Sequence, residues 1–385
     1  MKQHSLVINA ISLLSKFTGI AKYTYEISRR ILPSGLGFDP TYYYGYFRKK
    51  LYFHDILVPS PEEKLAKRLK HFISKSYFFK KIAREGLLFS SKFLNRECEV
   101  YWEPNNVPIK HIKSEHLVTT VHDFSFHVYP ELHRKETREY FKKNFWENIL
   151  KSDRIITASH FIKDEILNYL HIDPAKVHVI NHGIDHDNFK VYERTLLDTF
   201  SDLYELPKKY VLFVGSIEPR KNLESALLAY NTLPDAFKKE YKFLLAGFSG
   251  WHNAKIMEII CQEKGNIIYL GYLPDRELAY LYNVASAFIY PSIYEGFGLP
   301  PIEAMACGSP VIVSRTSSLP EICGDAAYYV DPKKITDIAE GIYTVSTNER
   351  LRRDLRKKGL KKAQSFNWEQ SAKDHFMVFN GVMGR

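Results

Sequence analysis

Cysteine is scarce: 4 of 385 residues, Cys98, Cys261, Cys307 and Cys323, with no CxxC pair among them. Such spacing excludes a zinc ribbon or a disulfide framework and fits a reducing compartment. No stretch reaches the ~18 uninterrupted apolar residues needed to span a bilayer. The N-terminus carries one lysine and then LVINAISLL without a small-residue cleavage site. It reads as a first buried strand rather than a secretory signal, so a cytoplasmic location is expected. The glycine fingerprint of a nicotinamide-dependent dehydrogenase is also missing, because GFGLPP lacks the third glycine. There is no internal repeat or low-complexity tract. Although 54 Lys+Arg outnumber 44 Asp+Glu, no RNP, zinc-finger or helix-turn-helix pattern accompanies the charge, and no nucleic-acid partner is expected.

What is present is the balance of a globular protein, 45% apolar and 25% charged, on a chain long enough for two domains with a cleft between them. Short β-branched or aromatic runs alternate with helical patterns: residues 6–11, 100–104, 117–121, 154–159, 177–182, 210–216, 243–247, 267–271, 287–292, 310–314 and 327–331. Runs apolar on successive residues, bounded by Gly, Ser or Pro, suit parallel strands buried on both faces. The rhythm breaks once, between Gly183 and Lys209. The expected division is an N-terminal domain over 1–190, a C-terminal domain over 191–365, and a last helix over 366–385 packing back toward the first domain. Excess positive charge sits in two places, 61–85 and 350–362. In the first, lysines and arginines flank Leu65, Leu69, Phe72, Ile73, Phe78 and Phe79, a composition that suits either an anionic membrane surface or a solvated helix face. For the second, the solvated face is the better reading.

Chemistry concentrates in the C-terminal half. YVLFVGSIEPRKNLESALLAY reads as strand, glycine turn and helix, with Arg220 and Lys221 just before the helix start. Such a pair in a loop is as a rule solvated, but here it is placed to neutralise a diphosphate, Arg as a fork and Lys as a point charge. In AFIYPSIYEGFGLPPIEAMACG a strand ends at Ser292, a glycine-bent loop follows, and a helix opens with proline. Gly296 and Gly298 let the backbone turn N–H groups toward a ligand. Glu295 and Glu303 stand at the two ends, one suited to hydroxyls of a sugar and the other to a ribose.

Glu295 and Glu303, with seven residues between them, resemble the E-x7-E signature of glycosyltransferase family 4. SIEPRKN, NHGID, TGIAKYTYEI, HDFSFHVYP, RIITASHFIKDEI, IIYLGYLPDRELAYLY and SFNWEQSA extend the resemblance over nearly the whole chain in order. It implies an α/β protein of the GT-B fold, two Rossmann-like domains with parallel sheets facing across a cleft, that retains anomeric configuration. By the resemblance Arg220 and Lys221 bind the donor diphosphate, and Glu303 the ribose. Glu295, with backbone groups of Gly296, Phe297, Gly298 and Leu299, binds the donor sugar. The matching His122 faces that sugar near the reacting carbon; taken alone it reads as a strand-end histidine bonded to a backbone carbonyl. Thr18, Gly19 and Ile20 resemble the family's first glycine loop, with Ala21 in place of its second glycine. Asp123 reads as a helix or turn cap rather than a base, and Glu103 as a lining of the acceptor pocket or a surface carboxylate. Asp185 and Asp187 spell DxD, but in the interdomain turn, and two cations already serve the phosphates; neither a metal nor another cofactor is expected. The motif forms look most like bacterial mannosyltransferases of surface polysaccharide (O-antigen) assembly. That implies GDP-mannose as donor, ahead of UDP-sugars carrying glucose, galactose or N-acetylglucosamine. The implied acceptor is a lipid-linked glycan at the inner face of the cytoplasmic membrane, with 61–85 as the membrane contact. A sugar-nucleotide-binding protein without catalysis is the rival from another class.

Overall fold

The computed structural model describes residues 3–14, 19–31, 37–52, 97–248, 254–263 and 265–384. Both Thr18 and the basic segment 61–85 lie outside them.

Seven strands form the first sheet: β1 (His4–Asn9), β2 (Phe38–Tyr43), β3 (Phe47–Arg48), β4 (Glu97–Glu103), β5 (Lys113–Thr120), β6 (Arg154–Thr157) and β7 (Val177–Val179). Six form the second: β8 (Tyr210–Val214), β9 (Lys242–Ala246), β10 (Ile267–Gly271), β11 (Ala287–Tyr290), β12 (Val311–Ser314) and β13 (Ala327–Val330). The spatial orders are β3-β2-β1-β4-β5-β6-β7 and β10-β9-β8-β11-β12-β13. Every pairing is parallel except β2 with β3, which is antiparallel over Tyr42 and Tyr43, so the expectation of parallel sheets needs that one correction. Each apolar run singled out in the sequence overlaps a strand; β2 and β3 were not among them. In both sheets the strand order reverses once, between β1 and β4 and between β8 and β11. Ligands of doubly wound sheets bind outside the carboxyl ends of the strands at such a reversal.

Burial explains why these segments are strands. All five residues of β8 are buried, and they alternate between cores: Tyr210, Leu212 and Val214 pack on one face of the second sheet, Val211 and Phe213 on the other. Helices cover both faces. Those that bear on the cleft are α1 (Gly19–Ser28), α2 (His160–Leu170), α3 (Leu223–Asn231), α4 (Asp275–Val284), α5 (Leu299–Ala306) and α6 (Trp368–Val382). Trp368, Ala372, Phe376 and Phe379 of α6 join Leu6, Tyr23 and Trp102 in the core of the first sheet. Tyr23 Oη lies 2.6 Å from His375 Nε2, tying α1 to α6. The chain crosses to α6 past Gly183, where a Cβ would stand 2.2 Å from the Trp368 nitrogen. The second basic segment lies on a helix spanning Glu349–Ala363, which buries Leu355, Gly359 and Ala363 and exposes Arg350, Arg353, Lys357 and Lys361.

Candidate active site

After β8 the chain makes a single 3-10 turn at Pro219–Lys221. Asn222 closes it in a left-handed conformation (φ 57°) and donates from Nδ2 to the carbonyls of Pro291 (3.0 Å) and Pro332 (2.8 Å). The turn is thereby fixed against the loop that follows β11. Arg220 donates to the Tyr294 carbonyl at 2.8 Å and lies 3.0 Å from Glu295 Oε2 and 3.1 Å from Glu218. Lys221 donates to Glu295 Oε1 at 2.6 Å and to the Tyr290 hydroxyl at 2.5 Å. Glu295 thus takes one cation on each oxygen.

Burial sets the electrostatics of this trio. It would raise the Glu295 carboxyl, but Arg220 and Lys221 hold it down at about 2. Burial works against the charge on Arg220 as well, and the carboxylates of Glu295 and Glu218 outweigh it, so the guanidinium stays charged. Lys221 goes the other way: burial and the neighbouring Arg220 lower its pKa despite the contact with Glu295.

The loop from Glu295 to Gly298 reaches the first sheet. Gly298, at φ 103°, precedes α5 in a backbone conformation that L side chains rarely adopt. Gly296 is required for a different reason: a Cβ there would stand 1.9 Å from the His122 carbonyl oxygen. Ser159 Oγ, at the start of α2, donates to the Gly296 carbonyl at 2.8 Å. Backbone from β11 therefore abuts backbone from β5. His122 itself donates its Nε2 proton to the Pro104 carbonyl at 2.7 Å, and burial lowers its pKa. The ring is neutral at pH 7, with Nδ1 left as its acceptor.

Between the two sheets lies a cleft of about 550 Å³. Gly19, His122, Arg220, Lys221 and Glu303 line it, as does the whole loop from Glu295 to Leu299. Each residue singled out from the sequence as catalytic or donor-binding is thus on its wall.

Other sequence expectations fall elsewhere. Glu103 is neither at the surface nor in the cleft: it is 0% exposed and accepts from Asn9 Nδ2 (2.8 Å), Tyr101 Oη (2.7 Å) and the Asn105 N–H (3.0 Å). It anchors the end of β4 to β1, and burial pushes its carboxyl up to about 8. Asp123 does cap a turn, accepting from the N–H (2.9 Å) and hydroxyl (2.6 Å) of Ser125. Asp185 accepts from the Asp187 N–H at 3.1 Å and from Asn188 Nδ2 at 2.8 Å, so the DxD pair belongs to a local turn.

Three cleft residues escaped the sequence reading. Lys22 reaches from α1 to Glu303 and to Asp275, which opens α4, at 3.0 Å each. His182, between Tyr23 and Phe297 at ring separations of 4.8 Å each, has a buried Nδ1 with no hydrogen-bond partner among the described residues. The signals were present in TGIAKY, LPDREL and NHGID, but nothing local says that the three face one another.

Two doubly wound sheets sharing one cleft, with a cation pair and a glycine-bent acidic loop at the strand ends of one of them, define the class as GT-B. Comparison with known proteins gives the family. The model of Glycosyl transferases group 1 matches residues 200–362, and that of Glycosyltransferase Family 4 matches 107–188. The chain belongs to this family of glycosyltransferases. It is 35% identical over 257 residues to the O-antigen chain mannosyltransferase B of Escherichia coli, a match covering 66% of this chain and 68% of that one. It is 31% identical over 242 residues to the Escherichia coli serotype-specific mannosyltransferase WbdA, covering 61% of this chain but only 29% of that longer protein. Among solved structures, the sucrose-phosphate synthase from Thermosynechococcus elongatus superposes with a TM-score of 0.72 at 19% identity, covering 99% of this chain and 100% of that one. Anabaena HepE in complex with UDP and glucose gives 0.68 at 13% identity, covering 98% and 100%. Identities this low carry the fold alone. Among the described residues no helix is long and apolar enough to cross a membrane.

Proposed function

We propose that this glycosyltransferase moves mannose from GDP-mannose, with retention of configuration, to a lipid-linked oligosaccharide or polysaccharide. One observation carries the donor site: Arg220 and Lys221 meet Glu295 in the cleft that Glu303 also lines, at the strand reversal of the second sheet. Mannose is favoured by the two Escherichia coli relatives, both named mannosyltransferases.

In this reading the diphosphate lies on Arg220 and Lys221, the ribose on Glu303, and the sugar between Glu295, the backbone of Gly296 to Leu299, and His122. Gly19 approaches from the first sheet. As the nucleoside diphosphate leaves, its growing charge falls on the two cations, which are already oriented by Glu295 and need no reorganisation. The acceptor hydroxyl attacks from the same face of the sugar, and the leaving phosphate takes its proton. Neutral His122 offers Nδ1 to a sugar hydroxyl. No metal has a role, since two buried cations supply the charge that a divalent ion would.

The test is a panel of nucleotide sugars incubated with the full chain and a lipid-linked glycan primer, with nucleoside diphosphate release and product linkage as readouts. Release of GDP from GDP-mannose, undiminished by EDTA, supports the assignment. Preferential turnover of a UDP-sugar would replace the donor, and nucleotide binding without any transfer would make the protein a binding module.

A further inference from the structure

Lys22 has no part in the chemistry above, yet its ammonium links the first sheet's α1 ionically to the donor side of the cleft. It lies 3.0 Å from Glu303 Oε1 and 3.0 Å from Asp275 Oδ2. The side chains of Lys22 and Glu303 are each only 9% exposed. Other groups face the Glu303 carboxylate: Tyr282 further along α4, Asp185 from the interdomain turn, and Cys307 just past α5. None of these brings a positive charge.

A buried carboxylate, Glu303, a partly exposed one, Asp275, and one buried lysine form a group that holds only while the lysine stays. Without it, the buried Glu303 carboxylate stands beside the partly exposed Asp275 carboxylate with no counter-charge, and Glu303, the one shut away from water, takes up a proton. A protonated Glu303 has lost part of its capacity to accept hydrogen bonds from two adjacent hydroxyls. We propose that Lys22 is a positioning residue for the nucleotide: reaching across the cleft, it balances Glu303 and Asp275 and aims Glu303 at the ribose, so the ribose site is complete only when the two sheets close on each other. The inference rests on the reading of Glu303 as the ribose ligand. Burial already raises the Glu303 carboxyl, and Lys22 is the group that pulls it back.

The experiment measures GDP and UDP binding to the full chain by calorimetry between pH 6 and 9, with Lys22→Met, Lys22→Arg and Glu303→Gln beside the wild type, each checked by thermal melting. Lys22→Met binds weakly at pH 6 and regains affinity by about tenfold per pH unit as Glu303 ionises. Lys22→Arg restores affinity and the flat pH profile of the wild type, which a merely structural lysine would not require. Should Lys22→Met fail to fold, Lys22→Gln, which keeps both carboxylates and a polar side chain but removes the counter-charge, carries the same pH readout. Wild-type affinity in Lys22→Met, or a loss equal at every pH, overturns the proposal while leaving Glu303 in place. Unchanged nucleotide binding by Glu303→Gln overturns the ribose assignment itself.

Discussion

Glu295 holds side by side two cations that would otherwise repel each other. That arrangement makes three residues act as a unit, and the consequences can be measured separately. Removing one cation at a leaving group costs about 10²–10³ in rate, so Lys221→Ala should lose transfer by that factor in steady-state assays run below its melting temperature, which should itself fall because the buried Glu295 loses one of its two counter-charges. Because burial and Arg220 lower the Lys221 pKa, its charge disappears at a lower pH than that of an ordinary lysine. Activity should therefore fall on an alkaline limb that Lys221→Arg displaces upward. A limb unmoved by that substitution would show that another group titrates. Glu295 has the opposite sign. Its carboxyl sits at about 2, below the ordinary 4.5, so its contribution to stability is complete above 4.5 and is lost as pH falls through 2. The gap corresponds to roughly 3 kcal/mol. Melting curves of Glu295→Gln should be lower than wild type at pH 7 and should converge on it as pH falls from 4.5 toward 2; parallel curves would mean that Glu295 is not the group lost to acid.

At the scale of elements, the sequence reveals what is repeated and local. Strands such as β8 and β11 are legible because every residue is apolar, the mark of burial on both faces. FDPTYY is not legible as β2, since it carries Asp39 and Pro40. Proline is tolerated there because β3 covers only Tyr42 and Tyr43, so that among the described residues the outer side of β2 at Pro40 has no ladder to donate to. The loop at Gly296 is legible as a bend, and Arg220 and Lys221 as cations at a strand end. Hidden from the sequence are the neighbours across the cleft: Lys22 beside Glu303, His182 beside Phe297, and the His122 carbonyl against Gly296. Those contacts depend on how the two sheets face, which no local pattern encodes. A sharp expectation follows for Gly296→Ala. Its Cβ would lie 1.9 Å from a backbone oxygen, and backbone cannot step aside as a flexible side chain does. The loop must withdraw from β5, taking Glu295 and the Ser159 contact with it. Transfer should fall by at least the 10²-fold attached to losing one charge-stabilising contact, with amide exchange rising at the start of α2. Wild-type activity in Gly296→Ala would mean that the cleft works without this approach.

Over the whole molecule, charge is unevenly shared. The formal net charge is +10, and the described part includes a basic helix face at Glu349–Ala363, on a helix that packs Gly359 against Met305 of α5. There Lys358 already pairs with Asp354 (3.0 Å) and Asp325 (3.5 Å). The richer basic segment, 61–85, interleaves its cations with Phe72, Phe78 and Phe79, and it belongs to the N-terminal half, which is proposed to face the acceptor. An enzyme whose acceptor is carried on lipid gains from holding that half at the membrane surface, where each cation near anionic headgroups contributes about 1 kcal/mol. Changing Lys64, Lys67, Lys70 and Lys75 to Gln should therefore weaken binding to phosphatidylglycerol-containing vesicles by roughly 10³-fold. The same number of changes on the helix at Glu349–Ala363 should leave binding unaltered. Because the attraction is screened over ~10 Å at 0.1 M salt and ~3 Å at 1 M, wild-type binding should fade across that range in vesicle sedimentation. The rates on a water-soluble acceptor should be equal in the wild type and the four-lysine variant, while rates on vesicle-borne acceptor diverge. Binding that outlasts both the substitutions and 1 M salt would assign the membrane contact to some other surface.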